Sequence, residues 1–358
     1  MLINQVIDSK SIALEATHNA SNDIAYLGLA FFPEEKKAGL DLQWIKTHKG
    51  LPVSLAPSNF DALPVIRARE GLKKEKTQMA FFRESMIIKE EDVQEIDRIT
   101  SADDPYLVSA IRSIYDDTNN LVSGAEVVPE RMRMSLLATT NGHPVIGISS
   151  DGVNYAYDYD PSGEYASKHY TKKTSTAKWS DTANSKPIDD LIAAKKALQK
   201  IGRTPRYALM TSATLNMLIG NAQVRTVVLS QNPNANVYIN DAVVIAAVKA
   251  TTGLEILVYD KMYIDDNGDE KQFYPDGKVT LLPDGALGKT WFGTTPEERT
   301  ARQVADVDVT IYGKGIAIAV KTEYGPPALT STTASEIVLP SYENMDSTYV
   351  LEVADVNF

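Results

Sequence analysis

Apolar positions recur three or four residues apart in two regions of this chain, 90–141 and 186–260, while the rest alternates or breaks into short runs between turn residues. In the first region Val93 and Ile96 lead to Leu107, Val108, Ile111, Ile114 and Tyr115. Ser123-Gly124 is then expected to interrupt the helix. A second start follows at Val127-Val128-Pro129-Glu130, with Pro129 in the first turn and Met132, Leu136 and Leu137 as the stripe, until Gly142 and Pro144 stop it. In the second region Ser185 is a candidate cap for a helix that opens on Pro187, Asp189 and Asp190, carries Ile188, Leu191, Ile192, Leu198 and Ile201, and ends at Gly202. Arg206 to Met210 reads as a strand, Ser212 as the cap of a helix to Ile219, and Gln223 to Ser230 as a further helical piece. Asn240 caps a third helix that Gly253 ends before the strand Leu254 to Asp260. These residues predict a compact α/β module.

Elsewhere the pattern is extended. Residues 1–50 show no long periodic segment and read as an arm with little core of its own. Between residues 51 and 89, Pro52, Pro57 and Pro64 precede the apolar groups Met79 to Phe82 and Met86 to Ile88, which predicts two strands, a long connection and a projecting hairpin. Val145 to Ser149 and Val153 to Tyr159 form a hairpin around Ser150-Asp151-Gly152, and residues 160–185 read as loop or irregular edge strand. Met262 to Ile264 and Glu270 to Tyr274 flank Asn267-Gly268, a strong hairpin signal. Val304 to Tyr324 alternates as one long strand with a bend or bulge at Gly313 and Gly315. After Pro326-Pro327 and a Thr/Ser-rich linker, the strands Ile337 to Leu339 and Tyr349 to Val353 close the chain.

Length and composition add limits. With 358 residues there is room for two or three domains, and 43% apolar with 23% charged residues is ordinary globular composition. Cysteine is absent, which removes disulfides, thiolate metal sites and a cysteine nucleophile and fits a reducing compartment. No signal-peptide pattern opens the chain and no run reaches membrane-spanning length, so a soluble protein that is not secreted is expected. The net charge of 36 − 47 = −11 argues against a phosphate-neutralising surface. Charge is unevenly spread. Arg67, Arg69, Lys73, Lys74 and Lys76 against Glu70 and Glu75 leave 5 − 2 = +3, whereas from Arg83 to Asp104 three basic residues face eight acidic ones, or −5. The two blocks are either solvated faces or partners within or between subunits.

Catalytic motifs fail on inspection. Gly285 to Thr290 lacks the first glycine of a phosphate loop, since Pro283 stands there, and no helix follows. Asp158, Asp160, Ser162 and Gly163 open like a calcium loop, but position twelve is His169 instead of a bidentate Glu, so a turn is expected. The acidic run from Asp265 to Glu270 reads as a hairpin tip. His18, His48, His143 and His169 are scattered, without metal-ligand spacing, and no Gly-x-Ser-x-Gly elbow occurs. Carboxylates are plentiful, but spacing alone does not say which of them face each other.

One resemblance joins these parts. Pro64-Val65-Ile66-Arg67-Ala68-Arg69, Lys178-Trp179-Ser180 with Pro187-Ile188-Asp189-Asp190, Ile256-Leu257-Val258-Tyr259 with Tyr263, Asn267-Gly268, Phe273 and Pro275-Asp276, and Leu339-Pro340-Ser341 occur in an order that resembles the capsid protein E family of lambda-like phages. That family belongs to the Hong Kong 97-type capsid fold. The resemblance implies an α+β subunit with an N-terminal arm (1–50), an E-loop hairpin (51–89), a long spine helix and peripheral sheet domain (90–185), a central α/β axial domain (186–303) and return strands (304–358). It implies a major capsid protein that self-assembles as hexamers and pentamers into an icosahedral shell around double-stranded DNA, without sequence-specific binding and without a membrane. Expected partners are a separate scaffolding protein, a portal and a decoration protein; expected locations are the virion, and the host cytoplasm before assembly. No cofactor, metal or catalytic residue is assigned, and no cross-linking partner for Lys73, Lys74 or Lys76. Arg67, Arg69, Lys73, Lys74 and Lys76 are the candidate inter-subunit contacts, and Gly124 the candidate hinge. The alternatives are an encapsulin-like nanocompartment shell and a cytosolic α/β enzyme with a carboxylate-based site.

Overall fold

The computed structural model describes residues 8–19, 25–45, 74–88, 105–150, 153–231, 240–303, 308–323 and 329–355. In chain order the elements begin with helices α1 (Ser9–Asn19) and α2 (Gly28–Phe31), then strands β1 (Glu34–Lys36), β2 (Asp41–Ile45), β3 (Lys74–Gln78) and β4 (Ala80–Ile88). Helix α3 (Pro105–Leu137) precedes the hairpin β5 (Val145–Ser150) and β6 (Val153–Asp158), α4 (Glu164–His169) and β7 (Tyr170–Lys172). Next come α5 (Pro187–Lys200), β8 (Pro205–Met210), α6 (Ser212–Gly220), α7 (Ala222–Gln231), α8 (Asp241–Thr252) and β9 (Glu255–Val258). The chain continues through β10 (Met262–Ile264), β11 (Glu270–Gln272), β12 (Lys278–Pro283), β13 (Thr290–Phe292) and α9 (Pro296–Gln303). It closes with β14 (Asp308–Tyr312), β15 (Ile316–Glu323), β16 (Leu329–Pro340) and β17 (Tyr349–Glu352). These elements fall into two units, the first drawn from within 1–42, 76–133 and 289–341, the second from within 43–75, 134–288 and 342–358.

The first unit is organised on β16. One side of this strand pairs antiparallel with β15 and, near its end, with β13; β15 pairs on with β14, and β13 with β1. The other side takes β4 over the whole span Thr330↔Ile88 to Val338↔Ala80. The stretch expected as a Thr/Ser-rich linker is therefore strand. Its Thr residues are β-branched and suit a pleated surface, and neighbours on both sides satisfy the backbone. The single strand expected from Val304 to Tyr324 is instead the hairpin β14–β15: Gly313 takes φ +58°, and Gly315 leaves no room for a Cβ, which would lie 2.3 Å from the Phe292 ring.

Helix α3 also departs from expectation, running unbroken through Gly124 and Pro129. Glycine costs about 1 kcal/mol and an interior proline about 3 kcal/mol relative to alanine. Burial of Leu121, Val122, Met132, Met134, Leu136 and Leu137, at about 1.5–3 kcal/mol each, outweighs both. The segment read as an arm with little core supplies buried Ile12, Phe31, Phe32 and Leu42, and its helix α1 is held by Ser9, whose amide and hydroxyl reach Asp308 at 2.9 and 2.5 Å.

In the first unit α2, α3, β1 and β13 meet on Arg133. Its Nε donates to Thr290 Oγ1 at 2.8 Å, one terminal nitrogen to Glu34 at 2.8 Å and the other to Glu130 at 3.4 Å. Glu130 in turn accepts the Gly28 amide at 2.9 Å, and Thr290 Oγ1 donates to the Phe32 carbonyl at 3.0 Å. A Cβ on Gly28 would stand 2.5 Å from the Glu130 carboxylate and 2.7 Å from Arg133 Cδ.

The second unit carries a five-stranded sheet in the order β7-β17-β12-β8-β9, with β8/β9 and β7/β17 parallel and the other pairs antiparallel. Its core joins Trp179 with residues of α5, α6, α7 and α8 and with Val279, Leu281 and Leu351 of the sheet. The α/β module is thus present, with small shifts in capping. Lys186, not Ser185, precedes α5, because Ser185 Oγ is engaged by the Asp181 carbonyl and the Asn221 amide. Thr211, not Ser212, caps α6, while Asn240 caps α8 and Gly253 ends it at φ +71°, as expected. Asp190 does more than complement the α5 dipole: it accepts from Lys173 at 2.5 Å and from Trp179 Nε1 at 3.0 Å. Residues 164–169, expected as loop, form α4.

Strand β12 also closes the last turn of α3 in this unit. Thr280 Oγ1 donates to the Leu137 carbonyl at 2.8 Å, and buried Lys278 Nζ to the Ala138 and Thr139 carbonyls at 2.7 and 2.8 Å. A cation is favourable at the carbonyl end of a helix. Burial nonetheless pulls the Lys278 ammonium down from 10.5 to about 8.

Two predictions follow from these packings. Gly28→Ala pushes the Arg133–Glu130 pair apart and should destabilise the protein by about 1–3 kcal/mol in denaturant unfolding, the usual cost of overpacking. Lys278→Met leaves two carbonyls without their donor and should cost about 1–3 kcal/mol. In the wild type, unfolding takes up a proton at Lys278 between about pH 8 and 10.5, so its contribution to stability rises over that window. The variant should lack this rise.

Candidate assembly surface

Of the segment 51–89 expected as a projecting hairpin of two strands, residues 51–73 lie outside the described residues, and Ala80 to Phe82 and Met86 to Ile88 lie on the single strand β4 of the first unit's sheet. Ala80 is buried against the sheet, but Arg83, Glu84, Ser85 and Ile87 are exposed, so consecutive residues on both faces of the strand reach solvent. Among the described residues β4 pairs with β16 along one edge. Its hold on the sheet is polar as well as through the backbone. Ser85 and Thr333 hydroxyls lie 2.8 Å apart, and Arg83 reaches Glu297 at 3.2 Å and stands 5.4 Å from the Phe81 ring centroid. Burial would raise the Glu297 carboxyl, but hydrogen bonds from Ser335, its own amide and Arg83 outweigh it and hold the group below its ordinary value.

Arg67, Arg69 and Lys73 lie outside the described residues. Lys74 and Lys76 are in β3, and their side chains lie outside the description. Of the acidic block, Glu84 is exposed on β4, while Glu90 to Asp104 lie outside. Gly124 is on an exposed face of α3, with no atom within 4 Å of where a Cβ would be.

The residues weighed for chemistry have structural partners. Asp160 caps α4, accepting from the Glu164 and Ala166 amides at 3.0 and 3.1 Å, so the calcium-like run is a turn, as expected. Asp265 accepts from the Asn267 and Asp269 amides at the β10–β11 tip, the expected hairpin. Thr290, at the end of the rejected phosphate motif, belongs to β13. His169 is buried, stacks on Tyr165 at 4.9 Å and lies 3.0 Å from the Thr348 carbonyl through Nδ1; burial pulls its imidazole below the ordinary 6.5. Tyr165 and Tyr342 converge on the Thr348 hydroxyl at 2.8 and 2.9 Å. His143 is half-buried, the side chain of His18 lies outside the description, and so does His48. No group of three or more acidic or histidine side chains suited to a metal occurs among the described residues.

Sequence reasoning missed the three groups with the most unusual surroundings: Arg133, Glu336 and Lys278. A signal existed for the first, because Glu130 and Arg133 flank Met132 inside an apolar stripe, where charge is expected only with a partner. For Glu336 and Lys278 the strand pattern carries no such mark.

Strand β4 is thus an extended strand exposed on both faces and carried on the sheet of the first unit. The chain belongs to the phage major capsid protein E family, whose sequence model matches residues 14–316. It is a major capsid protein, a structural component of the virion. No curated protein matches it in sequence. Among solved structures, it is similar to a putative capsid protein of a prophage of E. coli CFT073, with TM-score 0.60 and 15% identity over 97% of this chain and 99% of that one. It also resembles a phage-related protein from Bordetella bronchiseptica RB50, with TM-score 0.55 and 14% identity over 97% and 98% of the two chains. The capsid of cyanophage A-1(L) matches with TM-score 0.50 and 12% identity over 93% and 94%. These likenesses establish the α+β phage capsid fold.

Proposed function

We propose that this subunit assembles as hexamers and pentamers into the icosahedral head of a tailed phage, encloses double-stranded DNA and catalyses no reaction. The observation that carries the reading is strand β4, extended and with consecutive residues exposed on both faces, in a chain of the capsid E family: such a strand gains contacts from a neighbour. In this reading residues 51–89 are the E-loop over an adjacent subunit, 1–50 the arm, 90–185 the spine and peripheral domain, 186–303 the axial domain and 304–358 the return strands. The net charge of −11 suits a container whose DNA must move during packaging. A separate scaffolding protein, a portal and a decoration protein are the partners, and the subunit waits in the host cytoplasm before assembly.

Negative-stain microscopy of the purified chain, with and without the neighbouring phage proteins, should show shells or capsomer rings. A uniform monomer or dimer under every condition would sink the reading, and shells filled with enzyme and free of DNA would favour a nanocompartment.

Gly124 is the proposed hinge by which the spine adapts to non-equivalent positions. Gly124→Ala, which meets no steric obstacle and removes about 1 kcal/mol of helix weakness, should shift particle size or yield while leaving subunit solubility unchanged. Unaltered particles would place the hinge elsewhere.

Arg67 and Arg69 are proposed to lie over the acidic block of a neighbour. Each exposed pair contributes only about 0–1 kcal/mol, but repetition around a ring biases association, and salt weakens it. Reversal of both to Glu should leave circular dichroism unchanged and block shell formation. Normal shells with unchanged salt sensitivity would show these charges to be merely solvated.

A further inference from the structure

Glu336 lies within β16, opposite Phe82 of β4, and is only 1% exposed. Among the described residues neither carboxylate oxygen has a hydrogen-bond partner. Thr332, four residues earlier on the same face of the strand, is 1% exposed, and among the described residues its hydroxyl is also unpartnered. The charged groups acting on Glu336 are Arg133 and Glu126 of α3 and Glu34 of β1. The single cation is already committed, because Arg133 donates to Thr290, Glu34 and Glu130. Tyr312 of β14 adds no charge: its hydroxyl bonds to Glu126, and burial, with Glu126 and Glu34 adding to it, pushes it up to about 12. One guanidinium thus serves a cluster containing Glu34, Glu126, Glu130 and Glu336.

A carboxylate without donors, placed out of water beside other carboxylates, is held neutral instead of charged. We propose that Glu336 is carried as the uncharged acid in the folded subunit, and that its ionisation is a proton-operated latch that loosens the cluster joining β16, α3 and β1. Burial pushes its carboxyl well above the ordinary 4.5; Arg133 opposes this, and Glu34 and Glu126 add to it. Unfolding therefore releases a proton once the pH exceeds 4.5, and stability is lost as the pH rises toward the point where the folded-state acid ionises.

The latch does not rest on the shell reading, and its test uses the unassembled full chain. Infrared spectroscopy at pH 7 should show a protonated carboxyl C=O band that is missing in Glu336→Gln, retained in Glu84→Gln and shifted in Glu336→Asp. In denaturant unfolding, the ratio of the wild-type to the Glu336→Gln unfolding constant should grow by up to about tenfold per pH unit above pH 5. A wild type without the band at pH 7 overturns the proposal, and so does a ratio that stays constant with pH. Where Glu336→Gln does not fold, the wild-type band, its pH titration and the proton released on unfolding decide the matter. The expected result is a band that persists past neutrality and one proton released; a band already gone by pH 5 refutes the latch.

Discussion

A guanidinium taken out of water must place its donors on acceptors, and in the first unit Arg133 does so on Thr290, Glu34 and Glu130, groups contributed by β13, β1 and α3. The sequence distances are 157, 99 and 3 residues: helix spacing supplies Glu130, but no local preference could bring Thr290 and Glu34 to Arg133. Removing one member of a buried pair leaves an uncompensated charge, which typically costs about 3–5 kcal/mol. The arrangement is therefore strongly specified even if the pair adds little net stability. The Gly28 amide on Glu130 and the Thr290 hydroxyl on the Phe32 carbonyl extend the same constraint into the N-terminal segment. That segment, weakly patterned by itself, acquires its place from the arginine.

The same unit explains how an extended strand can be held and offered at once. β16 uses both sides of its backbone, and β4 uses one of its own on β16. Most of the strength lies in backbone pairing, since the Arg83–Glu297 pair is half exposed and such pairs contribute little. What remains on β4 is a polar, partly charged edge with Ile87 as its large exposed apolar residue. The strand is thus fixed on its sheet while residues on both its faces reach solvent.

Polar groups that might have suggested catalysis are consumed by structure. Asp160 caps a helix, His169 stacks on a tyrosine, Asp190 joins a lysine to the indole of Trp179, and Lys278 closes the carbonyl end of α3. Glu336 is different, since among the described residues neither of its oxygens has a hydrogen-bond partner.

Elements with strong local determinants were legible in the sequence. Pro187 with Asp189 and Asp190 opening α5, Asn240 and Gly253 bounding α8, and Asn267-Gly268 turning β10 into β11 stand where the residues placed them, and the family that the motifs resembled is the one whose model matches. Their chemistry acts within a few residues, so it survives without knowledge of the rest of the chain. Ser123-Gly124 and Pro129 were misleading because a cost of about 1–3 kcal/mol in local preference was set against burial that only the folded unit supplies. The linker that became β16 and the single strand that became β14–β15 were decided in the same way, by partners on either side and by the Phe292 ring against Gly315. The sequence alone determined the helices with their own caps, the tight turns and the family. Tertiary structure decided which polar residues are buried together around Arg133 and Glu336, because charge and hydrogen bonding between residues a hundred positions apart depend on distances that no local pattern encodes.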